Sequence, residues 1–126
     1  MADRDTWTAL AERCEAAKEP DRKIDAGIMT ALGFDWVGVI DHGAAGRKGG
    51  TIISKQKARF TDSTDAILAL IKQELLGFKA TVCSAGWAIL FRPRLPDEES
   101  NFECGEAATP ALALCAAFCR VKAEVG

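Results

Sequence analysis

A chain of 126 residues is the size of one domain and long enough to bury a core of its own. With 48% hydrophobic and 27% charged residues it has the composition of a folded globular protein, which excludes a disordered tail or a low-complexity spacer. The net charge of −2 is too small to name a partner, and no apolar run approaches the roughly 18 residues of a membrane span.

The opening Met-Ala-Asp-Arg-Asp has neither the basic region nor the apolar stretch of a signal peptide, so the expectation is a cytoplasmic protein with no membrane partner. Five cysteines, Cys14, Cys83, Cys104, Cys115 and Cys119, are an odd number without a small-scaffold spacing. In a chain with no export signal they read as reduced thiols, which pack like small apolar side chains.

Residues 6–18 (TWTALAERCEAAK) place Trp7, Leu10, Ala11, Cys14 and Ala17 on one stripe at helical spacing. Glu19-Pro20 stops that helix, and a second follows over about 21–32 with Ile24, Ala26 to Ile28, Ala31 and Leu32 on its apolar side. Gly33 is its end signal. Together these segments form a helical N-terminal layer over 6–32.

A hairpin is expected over 34–60. Residues 34–41 (FDWVGVID) and 51–60 (TIISKQKARF) are its strands, and the glycine-rich 43–50 (GAAGRKGG) is its loop. A helix follows over 62–76, capped by Thr61 or Asp62, with Ile67, Leu68, Leu70, Ile71 and Leu75 facing inward and Gly77 closing it. A second hairpin is expected over 78–92 around Ala85-Gly86. Residues 96–108 (PDEESNFECGEAA) read as an acidic, irregular, solvated loop.

The last helix, 109–123, carries the strongest local signal. Thr109 can cap it and Pro110 suits its first position, where no backbone donor is needed. From Ala111 to Cys119 no side chain is polar, so the helix must be covered on more than one face. The order of elements predicts an α+β domain: one antiparallel sheet of about four strands with helices packed on both faces, a helix/sheet/helix sandwich with the last helix as an outer slab. Leu112, Ala116 and Cys119 form a second apolar face of that helix and a candidate interface for a partner chain.

A search for chemistry finds little. His42 beside Asp41 could act as a base but reads better as a turn residue. The cysteines are too scattered for a structural zinc, and the glycine-rich loop lacks the Gly-Lys-Ser/Thr ending of a phosphate cradle. The expectation is therefore no enzyme, no cofactor and no metal. Five basic residues, Arg47, Lys48, Lys55, Lys57 and Arg59, fall in a stretch without an acid. In a strand Lys55, Lys57 and Arg59 would share one face, either a solvated strand surface or a contact for nucleic acid or an acidic protein. The acids Asp97, Glu98, Glu99, Glu103 and Glu106 could meet that basic stretch in a homo-oligomer. Trp7, Trp36 and Trp87 are expected in the core, with a binding surface as the alternative.

Three stretches carry a resemblance. They are Glu12-Arg13-Cys14-Glu15-Ala16-Ala17 with Pro20-Asp21-Arg22-Lys23-Ile24-Asp25-Ala26, the run Arg59-Phe60-Thr61-Asp62-Ser63-Thr64-Asp65-Ala66-Ile67-Leu68-Ala69-Leu70, and the ending Ala108-Thr109-Pro110-Ala111-Leu112-Ala113-Leu114-Cys115-Ala116-Ala117. They are similar to the phage ABA sandwich domain family of small phage and prophage proteins, over roughly half the chain. The chain departs from that family at Leu76-Gly77-Phe78, where the family often has Pro-Glu-Gly-Trp, and in its longer, more basic 34–58 region. The resemblance implies helices sandwiching a sheet, no activity and no catalytic residues. Taken with the missing catalytic constellation and the apolar last helix, it leads to the expectation of a non-catalytic phage accessory protein in the host cytoplasm that contacts a phage or host protein, joining the virion or inhibiting a host factor such as a defence component, with a nucleic-acid-binding module using 47–59 as the alternative.

Overall fold

The computed structural model describes residues 3–33, 35–36, 44–48, 51–54, 59–75, 77–91 and 102–125. Four helices and six strands are found among them: α1 Arg4–Ala16, α2 Arg22–Ala31, β1 Asp35–Trp36, β2 Ala44–Lys48, β3 Thr51–Ser54, α3 Thr64–Glu74, β4 Lys79–Cys83, β5 Trp87–Phe91, β6 Phe102–Glu106 and α4 Pro110–Val125. None of the described helices is long and apolar enough to cross a membrane.

Each helix begins where a short polar side chain can accept its first free N–H. Asp3 accepts from Thr6 N, Asp21 from Lys23 N at 2.7 Å, and Thr109 from Leu112 N at 3.2 Å. Ser63, rather than Thr61 or Asp62, caps α3 through Ala66 N. Thr61 is used over a longer range. Its hydroxyl accepts from Asp21 N at 2.9 Å, and its own N–H donates to the buried Asp25 at 2.8 Å, which ties the start of α2 to the entry of α3. Gly33 and Gly77 take the positive φ values, 96° and 84°, that end α2 and α3.

The domain is α+β and its sheets are antiparallel, as the order of elements predicts, but there are two three-stranded sheets, β1-β2-β3 and β4-β5-β6, where one sheet of about four was expected. Two segments account for the difference. β2 runs through the stretch read as a glycine-rich loop, pairing with β3 across a register shift between Ala44 and Gly46. β6 runs through the stretch read as a solvated acidic loop, in one-to-one register with β5 from Trp87↔Glu106 to Phe91↔Phe102. Residues 34, 37–43, 49–50 and 55–58 of the predicted first hairpin, and 96–101 of the predicted acidic loop, lie outside the described residues.

The last helix is not an outer slab. α4 lies between α1 on one side and β5 and β6 on the other, with α3 also against it. Every side chain from Ala111 to Cys119 is buried in consequence. Trp7 stands edge-on to Phe118, centroids 5.9 Å apart at 82°, Lys122 Nζ lies 5.7 Å from the Trp7 ring, and Arg120 pairs with Glu15 across the same seam. On the other side of α4 the small residues Ala113, Ala116 and Ala117 let β6 approach so closely that Gly105 leaves no room for a side chain.

Candidate interaction face

Alternation along β4, β5 and β6 sends one set of side chains toward α4 and the other away from it. On β5, Ala88 and Leu90 face α4 and are fully buried. Trp87, Ile89 and Phe91 point the opposite way. Register then lays out an outer surface with Lys79 and Phe91 at one end, Thr81, Ile89 and Cys104 in the middle, and Cys83, Trp87 and Glu106 at the other.

This surface is apolar along its centre and open. Trp87 is 39% and Phe91 37% exposed, and together with Val82 on β4 they are the exposed large hydrophobic side chains among the described residues. All three belong to one sheet, Trp87 and Phe91 on its outer face and Val82 on the other. The tip of the β4–β5 hairpin is held by Gly86, at φ 99°, whose carbonyl accepts from Ala107 N at 2.8 Å. A Cβ there would sit 2.2 Å from the Ala107 carbonyl oxygen, so only glycine lets the tip dock against the start of α4. The aromatic row therefore stands on a strand paired along both edges, packed on its α4 side and held at its turn.

The residues singled out from sequence fall differently. Leu112, Ala116 and Cys119 are covered by this chain itself, between α1 and the sheet, and are not open to a partner. Arg47 and Lys48 lie on β2, while Lys55, Lys57 and His42 are outside the described residues. Arg59 itself is in no strand and is ion-paired with Asp62 three residues on. Trp7 is in the core as expected, and Trp87 is not.

Sequence reading missed Asp25, whose side chain is 1% exposed on a helix otherwise read by its apolar stripe. Oδ1 takes the Thr61 N–H, Oδ2 has no hydrogen-bond donor among the described residues, and the Arg22 guanidinium is 3.9 Å away. Loss of solvent pushes its pKa above the ordinary carboxylate value, against the Thr61 hydrogen bonds and the Arg22 charge that pull it down. The nearest sequence signal was the pairing of Asp21 and Asp25 one helical turn apart.

Cys14, Cys115 and Cys119 meet in the α1–α4 seam. Cys115 Sγ donates to the Phe60 carbonyl at 3.2 Å. Burial pushes the Cys115 and Cys119 thiols up, and their hydrogen bonds to Cys14 draw that thiol below its two neighbours. No group of three or more His, Cys, Asp or Glu side chains among the described residues is arranged to hold a metal ion. A shallow groove between α1 and α2, lined by Thr6, Leu10, Arg13, Gly27 and Thr30, brings together no catalytic pair.

Fold and surface thus define a class: an α+β domain built on a buried helix, presenting one open aromatic sheet face. No known protein family, no curated protein and no solved structure matches the chain.

Proposed function

We propose that this is a non-catalytic accessory protein that works by protein–protein contact through the outer face of β4–β6. The exposure of Trp87 and Phe91 on a rigid strand supports this reading. Tryptophan and phenylalanine rows on a pre-formed surface supply large contact area at little cost in conformational freedom. Lys79 and Glu106 at opposite corners give the polar rim that such a surface needs for orientation.

The setting is taken from the sequence resemblance alone: a phage or prophage protein in the host cytoplasm, joining a virion or occluding a host factor such as a defence component. The sandwich arrangement of that family is part of the same proposal. Nucleic-acid binding through Arg47, Lys48, Lys55, Lys57 and Arg59 is the weaker reading, because Asp62 already neutralises Arg59.

Affinity capture from host lysate, with protein and nucleic acid both read in the eluate, tests the proposal. The unaltered chain should retain a protein that the Trp87→Thr/Phe91→Thr variant loses. Equal retention by both removes the sheet face from the proposal, and recovery of nucleic acid alone favours the basic segment.

A further inference from the structure

β4 is an edge of its sheet: it pairs with β5 on one side and with no described strand on the other. Edges in folded proteins are usually blunted by a short strand, by a lysine or other charge on the edge, by proline or by a bulge. β4, Lys79-Ala80-Thr81-Val82-Cys83, has no proline, and its register with β5 runs one to one without a bulge. Its single charge, Lys79, shares the outer face with Thr81 and Cys83. On the side facing α4, Val82 is 37% exposed and Ala80 is exposed as well, although their layer on β5, Ala88 and Leu90, is fully buried. The apolar layer under the sheet stops one strand short of its edge.

The geometry points to a second copy of this chain as the occupant of that edge, with β4 pairing antiparallel to the second copy's β4 about Thr81. A two-fold axis there sets Thr81 opposite Thr81 of the second copy, Ala80 opposite its Val82, and Lys79 opposite its Cys83. Small and β-branched side chains then meet across the joint, and the two Lys79 side chains lie at opposite ends. Parallel pairing would set Lys79 beside its counterpart, a like-charge contact. Antiparallel pairing satisfies the edge's backbone groups that no described strand pairs, covers Val82, and joins the two outer faces into one continuous surface carrying two Trp87-Ile89-Phe91 rows. It uses backbone and Val82 rather than the aromatic row, so it stands or falls apart from the contact surface proposed above.

The test uses the full chain with the two sheet cysteines removed (Cys83→Ser and Cys104→Ser), so that the remaining native thiols are the buried three. Directly opposed residues of an antiparallel pair have Cα atoms about 4.5–5.5 Å apart, within the span of a disulfide. Adding Thr81→Cys should give a covalent dimer with oxidised glutathione, which takes up the two electrons and protons as two reduced glutathiones. Lys79→Cys in the same background should stay monomeric, since its two copies are at opposite ends of the joint. By light scattering the unaltered chain should dimerise with rising concentration, and Val82→Lys should remain monomeric with an unchanged circular dichroism spectrum. A monomer at the highest soluble concentration, equal cross-linking at positions 79 and 81, or a persistent dimer in the Val82→Lys variant would overturn the inference.

Discussion

A Cβ placed on Gly105 would lie 2.2 Å from the carbonyl oxygen of Ala113, closer than any packed pair of these atoms can come. Strand β6 and helix α4 are therefore in backbone contact at this point. The contact explains why an acidic segment of weak strand preference is held as a strand, and it fixes how near the sheet stands to the buried helix. Gly105→Ala should force β6 away from α4 and destabilise the domain by about 1–3 kcal/mol, as overpacking does elsewhere. Urea unfolding followed by tryptophan fluorescence measures it. A change within a few tenths of a kcal/mol would mean the strand yields without strain.

The α1–α4 seam should carry more of the stability than any other contact. Trp7 and Phe118 are both fully buried and pack edge to face. Phe118→Ala should cost about 3–5 kcal/mol. The Trp7→Phe/Phe118→Leu double-mutant cycle should show a coupling of about 0.5–1.5 kcal/mol beyond loss of area. Additive losses in chemical denaturation would show that the ring geometry contributes nothing of its own.

The five thiols should separate into two groups. Cys104 is exposed and Cys83 half-buried, whereas Cys14, Cys115 and Cys119 are fully buried. In native protein a thiol-specific disulfide reagent should react with Cys104 first and Cys83 next, and reach the other three only as the chain unfolds. Rapid modification of all five without denaturant would contradict the packing of the seam.

Asp25 should leave a signature on the pH dependence of stability. Its folded pKa is raised above the ordinary value of 3.8, chiefly by burial. Between those two values the folded state binds more protons than the unfolded chain, so stability falls as pH rises through this window and levels off above the folded pKa. Asp25→Asn keeps an acceptor for Thr61 N–H and removes the titration. Acidification through the window should therefore stabilise the unaltered chain relative to this variant. Parallel curves for the two proteins would show that Asp25 is ionised without penalty.

Replacing Trp87 and Phe91 by threonine should cost about 1 kcal/mol or less each, because threonine keeps the strand preference and neither aromatic ring is in the core. A thermal shift as large as that of Phe118→Ala would place the two rings in the structural core rather than on a contact surface.

Much of the fold was legible in order and type. Thr109-Pro110, Gly33 and Gly77 mark helix ends by backbone chemistry that acts within a few residues, and each does so where expected. The Ala85-Gly86 hairpin was readable for the same reason. β6 was not, since glutamate and glycine are poor strand formers and its pairing partner, β5, lies beyond a ten-residue connection. The contact surface was missed because a tryptophan in an alternating strand looks the same whether its face meets a helix or solvent. Leu112, Ala116 and Cys119 failed as an interface for the converse reason: an apolar face declares that it must be covered, not by what.

What the sequence alone determined is local and categorical: an α+β class of fold, its helices with their caps, and a final helix too apolar to face water on any side. Tertiary structure decided which surfaces those elements consume. By placing α4 between α1 and the sheet, it used the helix's second face internally and left the far side of β4–β6 to Trp87, Ile89 and Phe91. The physical reason is that propensity and capping act over a few residues, whereas the choice of covering layer depends on contacts such as Gly105 against Ala113 and Trp7 against Phe118, formed only when distant segments meet.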